Sequence, residues 1–264
     1  MIDISQNYLN GLFGLAGKTA VVVGGSGVLC GAMAHGLWRA GCNVVLADLD
    51  ADKAEAHRKT WEASEEQVRF YKTDATDKNS LTALAERVED WFGGADIWIN
   101  GAGINSNTPY LDIDQEEFDR ILNVNLKSVH LACQVAGGRW IEQGRGGNII
   151  NMSSMSAIRP LSRVFTYSVT KAALWNLTQN LAREWAPHGI RVNALCPGFF
   201  PADQNRKVLD AGRVEAIMRQ TPMDRFGEAE ELVGATLLLA SDKAGSFITG
   251  ANLIVDGGFS VTSI

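Results

Sequence analysis

Tyr167 and Lys171 stand four residues apart, and Ser154 lies upstream in the small, polar stretch Asn151-Met152-Ser153-Ser154-Met155-Ser156. On a helix, residues four apart share a face, so an ammonium can sit beside a phenol. A nearby positive charge favours phenolate and draws the tyrosine pKa from about 10 toward neutrality. A general acid or base works best with a pKa near the operating pH. A serine hydroxyl close by could donate a hydrogen bond to a substrate oxygen. The same pair could equally be an ordinary surface helix pair, so its meaning depends on the elements that position it.

A second group lies near the N-terminus. After the apolar run Thr19–Val23 comes Gly24-Gly25-Ser26-Gly27-Val28-Leu29-Cys30-Gly31. Glycines between a strand and a helix let backbone approach a pyrophosphate at the positive helix N-terminus. The usual spacing is G-x-G-x-x-G; here Gly25 and Gly27 are followed by Cys30, with Gly31 one place late. A tight strand-to-helix turn is the plainer alternative. Asp48 closes the next apolar run, where a carboxylate accepts from both ribose hydroxyls and repels a 2′-phosphate. No arginine follows it, so Asp48 favours NAD over NADP; alternatively it caps the next helix.

Composition bounds the rest. The 264 residues suffice for one large core, and 46% apolar with 20% charged content is ordinary for a globular chain. A net charge of −6 and a pI near 5.3 give no electrostatic footprint for nucleic acid or an anionic membrane. No run of eighteen apolar residues suggests a membrane span, and Met1–Gln6 does not read as a signal peptide. Cys30, Cys42, Cys133 and Cys196 are scattered without Cys-x-x-Cys, which suggests buried reduced thiols in a cytoplasmic protein. His35, His57, His130 and His188 show no ligand spacing, so no metal is expected and each reads as an ordinary helix or turn residue.

Short β-branched runs alternate with longer amphipathic ones. Strands are expected at 18–24, 43–47, 68–72, 97–99, 148–152, 191–195 and 252–255. Helices are expected at 28–40, 51–63, 77–92, from about 115, 166–185 and 228–240. Strands apolar on both faces and separated by helices imply right-handed β-α-β units. The expected architecture is a single α/β domain over 1–264: a doubly wound, Rossmann-like parallel sheet of about seven strands with helices on both faces. Residues 199–226 are polar, break the alternation and read as a lid.

These residues together resemble the short-chain dehydrogenase/reductase family over about 17–258. Asp74-Ala75-Thr76-Asp77 resembles its Asp-x-x-Asp turn, whose first acid contacts adenine. Asn100-Gly101-Ala102-Gly103 resembles its Asn-Asn-Ala-Gly, with Gly101 replacing one Asn. Asn123-Val124-Asn125-Leu126 matches the segment whose catalytic asparagine falls on Asn125. Arg191-Val192-Asn193 with Pro197-Gly198, and Asp256-Gly257-Gly258, match later signatures. The resemblance implies a catalytic group of Asn125, Ser154, Tyr167 and Lys171. It implies cofactor contacts from Gly24, Ser26, Gly27, Val28, Leu29, Asp48, Leu49, Asp74 and Ala75, then Asn100, Gly101, Ala102, Pro197, Gly198 and Phe200, with Tyr167 and Lys171. Tyr167 would take the alcohol proton as hydride leaves for NAD, Lys171 would lower the phenol pKa, and Asn125 would hold a water relaying protons from Lys171. Val23, Val28 and Cys30 depart from the family's turn. Phe199-Phe200 stands where many members place a Thr against the carboxamide.

The insert Pro201-Ala202-Asp203-Gln204-Asn205-Arg206 is similar to the family's sugar-acid branch, the mannonate/fructuronate oxidoreductases. Gln204 and Asn205 suit hydroxyls; Arg206, Arg159 and Arg163 suit a carboxylate or are merely solvated. A reductase of 3-oxoacyl thioesters or hydroxysteroids, often with NADP, is one alternative. A non-catalytic dinucleotide-binding regulator is another. The resemblance also implies a homotetramer or homodimer, and a small molecule as the only other partner.

Overall fold

The computed structural model describes residues 4–200 and 211–262. Seven strands form one all-parallel sheet in the order β3-β2-β1-β4-β5-β6-β7. They are β1 Thr19–Val23, β2 Asn43–Asp48, β3 Val68–Lys72, β4 Ile97–Asn100, β5 Gly147–Met152, β6 Ile190–Pro197 and β7 Asn252–Val255. All five residues of β1 and all four of β4 are buried, as a sheet covered on both faces requires. The expected doubly wound sheet is therefore the observed one.

The helices are α1 Ile4–Phe13, α2 Val28–Arg39, α3 Ala51–Thr60, α4 Lys78–Phe92, α5 Gln115–Leu122, α6 Ser128–Glu142, α7 Phe165–Trp185, α8 Ala211–Gln220 and α9 Glu231–Ala240. Two apolar layers sandwich the sheet. One holds Met33 and Leu37 of α2 with Leu232 and Leu239 of α9 against Val22, Val44 and Ile150. The other holds Leu81, Leu84 and Val88 of α4 with Trp140 and Leu174 against Val21, Val45 and Trp98. Their burial supplies the main driving force, at about 25 cal/mol per Å² of apolar surface.

Three features depart from the sequence expectation. The first helix, Ile4–Phe13, lies ahead of the first element expected from the sequence. The helix beginning at Gln115 contains a π segment, Asn123–Lys127, in which the Ser128 N–H donates to the carbonyl of Asn123. The stretch 199–226 contains α8, so it is partly regular. Gln204, Asn205 and Arg206 lie outside the described residues.

The sheet reverses its winding between β1 and β4, and a crevice opens there at the strands' carboxyl ends. The Arg191-Val192-Asn193 segment works at the far side of the sheet. Arg191 donates to the carbonyls of Ser241 and Ile248, and Asn193 both donates to Ile248 and accepts from the Ala251 N–H. These bonds pin the approach to β7 onto β6.

Candidate active site

Strand β5 delivers Ser153 and Ser154 to the crevice, and the first turns of α7 deliver Tyr167 and Lys171. A short 3₁₀ turn, Met155–Ala157, follows β5, with Ser154 as its cap: Ser154 Oγ accepts from the Ser156 N–H at 3.2 Å and lies 3.1 Å from Ser156 Oγ. The Ser154 hydroxyl is also close enough to the Tyr167 phenol to favour its ionised form. The Tyr167 phenol and Ser154 both line a cleft of about 250 Å³, with Ser156 behind Ser154.

Lys171 is 4% exposed. Its Nζ donates to the Met152 carbonyl at 2.6 Å and sits 5.4 Å from the centre of the Tyr167 ring. Burial pushes its pKa down to about 8. Burial also raises the Tyr167 phenol above its ordinary value, with the Ser154 hydrogen bond pulling the other way. The lowering expected from Lys171 is not what sets the phenol in this geometry. The ammonium is turned onto a backbone carbonyl, and desolvation dominates the phenol's environment.

Asn125 is fully buried within the π segment. Its Oδ1 accepts from the Ile104 N–H at 2.8 Å; its Nδ2 donates to the Ile104 carbonyl at 2.9 Å and to Thr170 Oγ1 at 3.3 Å. The side chain therefore clamps the loop after β4 to α7, one residue before Lys171. Gly103 lies between them: a Cβ there would be 3.5 Å from Asn125 Oδ1 and 3.7 Å from Lys171 Nζ. A π turn inserts one residue into the helical ladder and re-aims the side chain it carries.

The opposite wall is the turn after β1. Gly24 has φ +78°, and a Cβ on it would lie 2.7 Å from the Ala102 N–H nitrogen. Gly27 begins α2 without any side-chain cap, leaving the first-turn N–H groups without a side-chain acceptor. Asp48 ties this turn to β2: Oδ2 accepts from the Ser26 N–H at 3.0 Å, while Oδ1 accepts from the N–H groups of Leu49 and Asp50. A backbone cradle with bare helix N–H groups and an adjacent carboxylate fits a pyrophosphate and a ribose, so these residues suit a dinucleotide.

Of the residues expected to contact it, Gly24, Ser26, Gly27, Val28, Leu29 and Gly101 line the cleft. So do Pro197, Gly198 and Phe200, together with Ser154, Tyr167 and Lys171. Others are placed differently. Asn100 is 2% exposed and its amide is spent in the core, accepting from Trp98 Nε1 and donating to Asn151 Oδ1. The Asp74 carboxylate accepts from the N–H and hydroxyl of Thr76, holding its own turn, and neither Ala75 nor Ala102 lines the cleft. Leu49 is exposed. Arg159 is not brought to the cleft: its Nε donates to the Ser260 carbonyl at 2.6 Å, because the chain end folds back beneath it. Arg163 is exposed in a left-handed conformation before α7.

Sequence reasoning missed Cys30, Lys53, Gly103, Met152 and Ser153, all of which line the cleft. It also treated Cys30 and Gly101 as separate oddities. They are one feature: a Cβ at position 101 would overlap Cys30 Sγ. A side chain at the usual glycine position of the turn is accommodated by removing one from the facing loop. All four cysteines are buried and free. Burial pushes each thiol up to about 12, so they are inert rather than nucleophilic. Among the described residues no helix is long and apolar enough to cross a membrane.

Comparison with known proteins agrees with this geometry. A family model described as enoyl-(acyl carrier protein) reductase matches residues 27–260. An uncharacterized oxidoreductase of Bacillus subtilis, UxuB, is 38% identical over 98% of both chains. Gluconate 5-dehydrogenase of Gluconobacter oxydans is 33% identical over 95% of this chain and 98% of its own. The crystal structure of a gluconate 5-dehydrogenase from Burkholderia cenocepacia, in complex with NADP and tartrate, is 30% identical and superposes with a TM-score of 0.88 over 95% of this chain and 98% of that one. With its parallel sheet, glycine turn and Ser-Tyr-Lys group, the chain belongs to the short-chain dehydrogenase/reductase family and is an oxidoreductase of hydroxyl groups.

Proposed function

We propose that the protein interconverts a secondary hydroxyl and a ketone on a sugar acid of the gluconate, mannonate or fructuronate type, using NAD in preference to NADP. The observation that carries the reaction is that Ser154, Tyr167 and Lys171, the last one helical turn beyond the phenol, line one cleft together with the glycine turn. The bound dinucleotide supplies or accepts the hydride. Tyr167 takes the proton from the substrate hydroxyl in oxidation and returns it in reduction. Ser154 orients the substrate oxygen and stabilises the charge that develops on it. Lys171 would hold the nicotinamide ribose of a bound dinucleotide and, with its charge facing the phenol, would favour phenolate. Asn125 keeps the Ile104 loop and the π turn in register beside Lys171, where a water completes the proton path.

Asp48 supports NAD, because a 2′-phosphate would face its carboxylate. Lys53, which lines the same cleft and pairs with Asp50 at 3.5 Å, is the cation that would blunt that preference. The sugar-acid reading is supported by the relatives' substrates and by the polar insert carrying Gln204, Asn205 and Arg206. The polar sequence of residues 199–226 is what suggests a lid over that substrate. The test is a turnover screen of gluconate, mannonate, fructuronate, polyols, 3-oxoacyl thioesters and hydroxysteroids with NAD and NADP. Sugar acids with NAD should give the highest kcat/KM. A steroid or thioester preference would discard the substrate assignment, and an NADP preference would discard the role given to Asp48.

A further inference from the structure

His57 is the residue on which the glycine turn rests. It projects from α3, and its Nε2 lies 3.2 Å from the Ser26 carbonyl, at the tip of the turn. A carbonyl only accepts, so this nitrogen carries the proton of the imidazole. Ser26 is thereby held at three points by the β2–α3 segment: its N–H by Asp48, its hydroxyl by the Asp50 carbonyl at 3.0 Å, and its carbonyl by His57.

The imidazole is itself the end of an aromatic column. His57 stacks on Trp61 at 5.3 Å, Trp61 on His35 at 5.1 Å, and His35 on Trp38 at 5.7 Å, all with interplanar angles of 21–25°. The column joins α2 to α3 and fixes the ring against rotation. Room for the ring comes from Gly31, where a Cβ would sit 2.8 Å from His57 Nε2. The glycine that falls one place late in the fingerprint thus has a specific function. It leaves space for a side chain that braces the turn from behind.

We propose that His57 is a cofactor-positioning residue, holding the 24–27 turn in its dinucleotide-binding shape through the Ser26 carbonyl. This rests on the reading of that turn as the dinucleotide cradle. In the absence of His57 the carbonyl loses its donor, and the turn must be ordered by the ligand at the expense of affinity.

The experiment is calorimetric titration of NAD and NADH into wild type, His57→Ala, His57→Gln, Gly31→Ala and Gly31→Ala/His57→Ala, with kinetics on each. The wild type must bind; if it does not, the cradle assignment fails before His57 is tested. Given binding, His57→Ala should raise the dinucleotide Kd and KM roughly 3- to 10-fold, as expected for one lost hydrogen bond. The change in kcat at saturating dinucleotide should be the smaller effect. Glutamine, whose amide nitrogen can reach the same carbonyl, should restore most of the affinity. Gly31→Ala should weaken binding by displacing the ring, yet add little once His57 is gone, because the two changes act through one contact. Wild-type affinity in a folded His57→Ala, or equal losses in the Ala and Gln variants, would overturn the proposal. If His57→Ala does not fold, His57→Gln and Gly31→Ala decide it alone: tight binding in Gly31→Ala contradicts it.

Discussion

The two walls of the cleft are built on different terms. The wall formed by β5 and α7 carries the proposed reacting groups, and there residue types and spacings follow the family pattern without a gap: Ser154, Tyr167, Lys171. The wall formed by the glycine turn departs from that pattern at Val23, Val28, Cys30 and Gly101. Proton transfer needs a phenol, an ammonium and a hydroxyl, and no other side chains supply them in that arrangement. A backbone cradle needs only shape. Shape can be regained by paired changes, as Cys30 with Gly101 and His57 with Gly31 illustrate.

The contrast is most exposed by Lys171→Met, which should remove the charge the chemistry uses and lower turnover by at least ~10²-fold. The same variant has a stability signature. The Lys171 pKa is lowered to about 8 in the folded protein, from 10.5. Between those two values the unfolded chain binds more protons, so this group makes stability rise with pH across that window. Its burial cost is fully present below about pH 8. Denaturant unfolding of Lys171→Met should lack that rise; a rise identical to wild type would show that the ammonium is not buried.

On the cradle wall the expected effects are steric. Gly101→Ala drives a methyl into Cys30 Sγ and should cost about 1–3 kcal/mol, or a Tm drop of several degrees. Adding Cys30→Gly should return most of it. Failure of that rescue would break the claim that the two departures are one adjustment. The smallest effect is expected from thiol reagents. With every thiol buried and pushed up to about 12, treatment of the native protein at neutral pH should leave activity unchanged. Rapid inactivation would mean that Cys30, which lines the cleft, is more open than the structure has it.

The sheet was legible because strands buried on both faces are apolar throughout, and helices between them force parallel connections. That Ser154, Tyr167 and Lys171 share one cleft was legible because the proposed chemistry dictates residue types at fixed spacing. What escaped depends on contacts between segments distant in sequence. Nothing near His57 announces Ser26, which meets it only because β2 and β1 are neighbours. Asn100 matches a cofactor motif, yet its amide is drawn into the core by Trp98 and Asn151. The π turn at Asn123–Lys127 has no periodicity of its own to read, since it interrupts one helical run by a single residue. Arg159 looked available for a carboxylate until the chain end supplied a carbonyl for it.

The central claim is that Tyr167 carries the proton, and the pH dependence of kcat/KM for alcohol oxidation tests it most directly. Burial raises the phenol pKa in the free protein. Oxidation needs phenolate, so kcat/KM should climb from neutral into alkaline pH. In Tyr167→Phe the rate should fall by at least ~10²-fold and the climb should vanish, with dinucleotide still bound. A Tyr167→Phe enzyme that keeps both its rate and its alkaline limb would contradict the account.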